Sequence, residues 1–451
     1  MSQDKYEKSK AVVERDGEIY PEFARIPYYP LAIKRGKGAI IEDMDGNQFI
    51  DMLSSASSLN TGHSHPRIVD ALKSQLDDFI SYTAAYTYSE PLVTLGEELC
   101  KITPGDFEKR VVYGLTGSDS NDGAIKLARA YTGRKIIISF IGAYHGATYG
   151  AISLSAISSN MRRKIGPLLP DIEHIKYPEC YRCDYNKDCH TCNLECLNDF
   201  KAALNNHIPA DEVAAIIMEP IAGDAGLIVP PKKYVNELYR ICKDNNILFV
   251  SEEVQQGFGR TGKWFAIEHF DIVPDMIIMG KSMASGVPLS AIVARKEITD
   301  SLGTPAHLFT MSGNALSCSA SIETINVLKD ENLLEKSKEL GAYTKQRFEN
   351  MKARYDIIGD VRGYGLSIGV DLVENRETKI GNKKAAAKIC YRCWEKGIIL
   401  IFLASGVLRV QPPLVISKEE LDRALDIIEK SIEEYLNGDI PDEVLKVAKG
   451  W

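Results

Sequence analysis

Ile247-Leu-Phe-Val-Ser-Glu-Glu-Val254 is an almost unbroken apolar run that ends in two acids, the pattern of a strand buried on both faces. The loop Gln255-Gln-Gly-Phe-Gly-Arg-Thr-Gly-Lys-Trp-Phe265 follows, and its glycines suit tight turns. A helix-like segment comes next. Then a second apolar strand, Asp275-Met-Ile-Ile-Met-Gly280, delivers Lys281 into the small, loop-like Ser282-Met-Ala-Ser-Gly286. Two consecutive strands of a βαβ unit thus end on opposite charges. Open α/β sheets bind ligands outside the carboxyl ends of their strands. An acid and a lysine at that edge suit a cofactor with a pyridine nitrogen and an aldehyde, which is the chemistry of pyridoxal 5'-phosphate (PLP). The lysine forms a Schiff base with the aldehyde, and the acid holds the ring nitrogen protonated. Taken singly, each residue has a plainer reading: Lys281 as a strand cap, Glu252 and Glu253 as surface ion pairs.

The whole stretch resembles the class III aminotransferases, PLP enzymes of fold type I. Their usual run is Asp-Glu-Val-Gln-Thr-Gly-Phe-Gly-Arg-Thr-Gly, and here it reads Glu252-Glu-Val-Gln-Gln-Gly-Phe-Gly-Arg-Thr-Gly262, with two substitutions. The resemblance implies an α/β fold, a large domain with a mixed, mostly parallel sheet plus a smaller α+β domain. It places the N-terminal part of the small domain at 1–60, the large PLP-binding domain at 61–320 and the C-terminal small domain at 321–451. Glu252 would meet the ring nitrogen, Val254 would pack under the ring, and Gln255 would hydrogen-bond the cofactor's phenolic oxygen. Glu252 stands where the family has aspartate, and its extra methylene moves the carboxylate by about 1 Å. Alternation along the strand points Glu253 to the other face.

Further along the chain, residues 1–26 are charged and read as helical until Pro27-Tyr-Tyr-Pro30 stops them. Ala39 to Asp51 reads as a hairpin around Asp45-Gly46. His63 and His65 match a family loop without a metal role. Helices are predicted near 66–80 and 90–102. Val111-Val-Tyr-Gly-Leu-Thr-Gly117 runs into Ser118 and a helix, and N–H groups at such a helix start make an anion site. The segment matches the family's phosphate cup, so the resemblance assigns Gly117 and Ser118 to the PLP phosphate. Tyr144 in Gly142-Ala-Tyr-His-Gly146 takes the position of the ring-stacking aromatic. The family's Glu-Pro-x-Gln-Gly-Glu-Gly-Gly appears as Glu219-Pro-Ile-Ala-Gly-Asp224-Ala-Gly226, which keeps Glu219 as a cofactor contact and puts Asp224 for the second glutamate. Thr310 in Pro305-Ala-His-Leu-Phe-Thr310 would reach the phosphate of a neighbouring subunit, which implies a homodimer with shared active sites. Whether two dimers pair into a tetramer is open. Arg409 takes the position of the arginine that grips a substrate carboxylate, with a strand arginine paired to a surface acid as the plainer reading.

The chain has 451 residues, 45% hydrophobic and 26% charged, with a formal net charge of −8. That balance speaks against nucleic acid or an anionic membrane as a partner. No basic-then-apolar leader and no apolar run of 18 residues is present, so a cytoplasmic enzyme is expected. Cys180, Cys183, Cys189, Cys192 and Cys196 crowd an excursion at 178–198, and two of their spacings are C-x-x-C. Bound zinc or iron–sulfur and reduced surface thiols are both compatible with that pattern, so a metal is left unknown. Cys390 and Cys393 read as buried thiols in a helix.

The resemblance is closest to the isoleucine 2-epimerase and amino-acid racemase branch of the family. It rests on Ser54-Ser-Ala-Ser57, Asn160-Met-Arg-Arg-Lys-Ile-Gly-Pro167, Pro305–Thr310 and the closing Gly450-Trp451. That branch carries an aspartate at the position of Asp224, which would be a second base facing Lys281 across the cofactor plane. The expected activity is inversion of the α-carbon of a nonpolar amino acid through an external aldimine formed after Lys281 is displaced. The alternative is an ω-aminotransferase of 4-aminobutyrate or ornithine type, because the two reactions demand nearly the same constellation.

Overall fold

The computed structural model describes residues 5–450. Trp451 of the closing pair lies outside them. The chain divides into two compact units, one of residues 67–334 and one of residues 1–66 with 335–451.

The first of these is built on a seven-stranded sheet. Its strands are β4 (Lys109–Gly114), β5 (Ile136–Ile141), β6 (Ile172–Lys176), β7 (Val213–Met218), β8 (Leu248–Glu252), β9 (Met276–Met279) and β10 (Ser290–Arg295), ordered β4-β10-β9-β8-β7-β5-β6. Only β10 runs against the rest, pairing antiparallel with both β4 and β9. β7 is buried at every position, as a central strand covered on both faces must be. Ile137, Ile217, Val250 and Ile278 join Ala124, Leu127 and Ala128 of the Gly117–Thr132 helix in one core cluster. Two features depart from the sequence reading. β6 (Ile-Glu-His-Ile-Lys) is an added edge strand without a clear apolar pattern. The link from β8 to β9 holds only a short 3-10 turn, Ala266–Phe270, where a helix-like segment was predicted. Phe258 and Phe265 bury their rings edge to face there, and a packed loop replaces the crossover helix.

The second unit carries two four-stranded sheets. β1 (Ile33–Lys37), β2 (Ile40–Asp43) and β3 (Gln48–Asp51) form a meander that β13 (Ile398–Ile399) extends in parallel. β11 (Ile358–Tyr364), β12 (Ser367–Leu372), β15 (Val407–Val410) and β14 (Ile401–Leu403) pair antiparallel throughout. Trp394 stacks on Tyr6 and Tyr29 in its core. His63 Nε2 sits 2.7 Å from Asp51 Oδ2, a hydrogen bond within the unit. Ser54, Ser55, Ala56 and Ser57 take φ of +47°, +50°, +57° and +64°, a left-handed turn without a glycine. Each such residue costs roughly 1–2 kcal/mol. Hydrogen bonds to a distant part of the chain offset that cost: Ser54 Oγ donates to Gln411 O and Ser57 Oγ to Gln411 Oε1, both at 2.8 Å. No described helix is long and apolar enough to cross a membrane.

Candidate active site

A cavity of about 180 Å³ opens at the carboxyl edge of the large sheet, lined by Gly117, Ser118, Tyr144, His145, Gly146, Glu219, Glu252, Val254, Gln255 and Lys281. Each element delivers its residue for a local reason. Thr116 caps the Gly117–Thr132 helix through a reciprocal pair with Asp119, so the helix starts at the cavity wall with its dipole positive end foremost. A Cβ on Gly117 would stand 2.9 Å from Val254 Cγ1, and one on Gly146 would collide with Ser118. Neither position has room for a side chain, which keeps the backbone at the cavity wall bare. Lys281 follows β9 after Gly280 and has φ +46°, a left-handed conformation that a lysine adopts only when the surroundings hold it.

Three carboxylates meet the cavity or its wall. Glu252 ends β8, is buried, and is held well above the usual carboxylate range, first by burial and then by Glu219, with Lys281 opposing. Glu219 is raised too, chiefly by burial, although it accepts from Tyr144 N at 2.9 Å and Gly223 N at 2.7 Å. Asp224 joins through Gln255, whose Nε2 donates to Asp224 Oδ1 at 3.1 Å. Glu253 turns elsewhere, accepting from Ala266 N and Ile267 N at 2.8 Å each, and burial lifts it to about 7.

This chamber suits PLP. A buried acid whose charge is disfavoured awaits a cation such as a protonated ring nitrogen. The His145 imidazole is buried with neither nitrogen hydrogen-bonded, and burial pushes it down to about 3. An orphaned polar ring in a cavity wall calls for a polar ligand. Sequence reasoning passed over His145, and also Asn121. Asn121 Nδ2 donates to Gly117 O at 2.9 Å and His145 O at 3.0 Å, and its side chain also hydrogen-bonds Glu252. The signal for His145 was its place between Tyr144 and Gly146. For Asn121 it was one helical turn after Gly117, the i+4 spacing that returns a side chain to the helix start.

The other expected residues stand apart from this lining. Thr310 is exposed in a turn-rich segment and does not line the cavity. Arg409 belongs to the second unit, where it is 2% exposed on β15 and donates to Gln411 Oε1 and, at 3.5 Å, to Ser57 Oγ. Gln411 Nε2 in turn donates to Ser367 Oγ at 2.8 Å. In the cysteine-rich excursion all five thiols are free and partly exposed. The group there whose ligand atoms lie within 4.8 Å of one another, among the described residues, is Asp188, Cys189 and His190.

Residues 24–432 match the Aminotransferase class-III family. Over 450 residues the chain is 46% identical to an isoleucine 2-epimerase of Lentilactobacillus buchneri, covering 99% of this chain and 100% of that protein. It is 43% identical over 445 residues to a leucine/methionine racemase of Thermococcus litoralis, covering 98% and 100%. Among solved structures, a Bacillus anthracis aminotransferase superposes with a TM-score of 0.87 at 27% identity, covering 95% of this chain and 99% of that one.

Proposed function

The chain belongs to the class-III aminotransferase family, fold type I α/β enzymes that use PLP, and from that premise we propose that it is a racemase or epimerase inverting the α-carbon of a nonpolar amino acid. The observation that carries this reading is Asp224, a buried carboxylate tied by Gln255 to the cavity that Lys281 lines. Inversion needs a proton carrier on each side of the reacting carbon, and transamination needs only one. The two racemising relatives support the reading over nearly the full chain, and their names specify isoleucine, leucine and methionine.

Bound in the cavity, PLP supplies an aldehyde for the substrate amine and a ring that accepts the electron pair left when the α-proton departs. Lys281 would hold the cofactor through its amine and would be the base that takes the α-proton on its face of the substrate. Asp224 delivers a proton to the other face, so the carbon changes hand and no amino group is lost. In the reverse direction the two exchange roles. Glu252 would hold the ring nitrogen and stabilise its positive charge. Tyr144 and Val254 would pack against the ring. Gln255 would hydrogen-bond the phenolic oxygen, Glu219 braces the wall through Tyr144 and Gly223, and the Gly117 and Ser118 amides would hold the phosphate. Arg409 binds the substrate carboxylate, for which a buried guanidinium is the natural partner. Thr310 completes the phosphate site of a second subunit, which makes the working enzyme a homodimer. Ten free thiols suit a reducing cytoplasm.

The test uses PLP-loaded protein, one enantiomer, deuterated water and no 2-oxo acid. Wild type forms both enantiomers. Asp224→Asn loses racemisation by more than about 10²-fold, yet exchanges the α-hydrogen of one enantiomer within about tenfold of wild type. Product formation only after a 2-oxo acid is added, or an equal loss of exchange for both enantiomers in Asp224→Asn, overturns the proposal.

A further inference from the structure

Three buried side chains form a directed chain behind the cavity. Gln256 Nε2 donates to Gln255 Oε1 at 3.1 Å, and Gln255 Nε2 donates to Asp224 Oδ1 at 3.1 Å. All three are at least nine-tenths buried. The two ends of a primary amide have nearly the same shape and opposite hydrogen-bonding character. If the Gln255 amide were turned round, its oxygen would face the Asp224 carboxylate and its NH2 would face the NH2 of Gln256. Both contacts would fail together in a buried site, where each unmade hydrogen bond is costly. The surroundings are shaped around this amide. A Cβ on Gly223 would stand 2.6 Å from Gln255 Cδ and would displace this amide, and the Gly223 N–H is itself committed to Glu219 Oε2.

Gln256 is also one of the two departures from the family's usual run, which has threonine. A threonine hydroxyl sits nearer the backbone and does not extend as far toward Gln255 Oε1 as the Gln256 amide that donates to it. We propose that Gln256 is a positioning residue for inversion: it orients the Gln255 amide so that Gln255 presents its NH2 to Asp224, and thereby keeps that carboxylate set to work the face opposite Lys281. Gln256 itself touches neither substrate nor cofactor. This inference rests on the reading of Asp224 as the proton carrier of that face.

Gln256→Met removes the donor with little change in volume, and Gln256→Thr restores the usual residue. In the holoenzyme, α-deuterium exchange on the Asp224 face should fall about tenfold in both variants, the size of one oriented buried hydrogen bond. Exchange on the Lys281 face should stay within about twofold. Added to Asp224→Asn, Gln256→Met should change exchange no further, because it acts through the residue already altered. Equal loss on both faces, or the same tenfold loss in the Asp224→Asn background, overturns the inference. If Asp224→Asn alone lowers both faces equally, the base reading has failed, and holoenzyme melting temperatures decide the positioning role. Non-additive shifts for Gln256→Met and Asp224→Asn support it, and strictly additive shifts overturn it.

Discussion

Two loops leave the carboxyl ends of parallel strands in the same sheet, and they end differently. The loop after β8 is buried from Val254 through Thr261, where Gln256 donates to Gln255 and Gln255 to Asp224 of the neighbouring segment after β7. The segment after β6 holds more nucleophilic side chains, yet they stay partly exposed in local turns such as Asn186 N to Cys183 O and Cys192 N to Asp188 O. Lys233 Nζ, on the helix Lys232–Asp244, donates to Cys192 O of this segment at 2.8 Å. Burial, followed by the neighbouring thiols, pushes Cys180 up to about 12, so it is a neutral and weak nucleophile at neutral pH. The cause of the difference is position. β8 lies mid-sheet with β7 and β9 beside it, so its loop is walled on both sides, whereas β6 is the edge strand. Chemically capable side chains become a site where neighbouring strand ends enclose them.

The sharpest challenge to that contrast is Lys281→Ala. It should abolish covalent capture of PLP and lower turnover on the order of 10⁴-fold. Borohydride reduction and peptide mapping of wild type should mark Lys281 alone, and label on any other lysine would refute its role. Glu252→Ala comes next, with an expected loss of about 10³-fold as the ring nitrogen loses its counter-charge. Glu252→Asp should keep PLP bound and lose at most about 10²-fold, since it withdraws the carboxylate by about 1 Å.

A smaller effect is read in stability. His145 is held neutral in the folded chain down to about pH 3, while an unfolded histidine protonates near 6.5. Between those values the unfolded state binds the extra proton, so this contribution is complete above pH 6.5 and shrinks as pH falls. The loss is about 1.4 kcal/mol per pH unit, or roughly 3 kcal/mol from pH 6 to pH 4. Urea denaturation of cofactor-free protein should show it, and His145→Gln should flatten the slope by that amount. The smallest effect belongs to the other loop. Replacing Cys180, Cys183, Cys189, Cys192 and Cys196 together by serine should leave turnover within about twofold, because partly exposed substitutions far from a packed network cost little. Loss of PLP binding in that variant would show that the excursion supports the cavity after all.

The acid at the end of one strand and the lysine at the end of the next were legible because strand runs and strand ends are local patterns. Those patterns, with the Gly117-Ser118 helix start, defined the sheet, its working edge and the class of cofactor. The edge strand β6 was not legible, since Ile-Glu-His-Ile-Lys is half polar and is a strand only because β5 offers it a free flank. The helix-like reading after Phe265 failed for a related reason: aromatic packing of Phe258 on Phe265 stabilises a compact loop that no local propensity records.

By itself the sequence determined which residue types stand at which strand ends, since hydrophobic periodicity and glycine placement act over a few neighbouring residues. Only the tertiary structure decided what those residues do to one another. Glu252, Glu219 and Asp224 are separated along the chain, yet Glu219 lies close enough to raise the proton affinity of Glu252, and Asp224 that of Glu219. Asp224 accepts from the Gln255 amide, which accepts in turn from Gln256, and both His145 nitrogens are buried without a hydrogen-bond partner. Hydrogen-bond direction and desolvation depend on atoms brought together from distant segments, and a linear pattern carries neither.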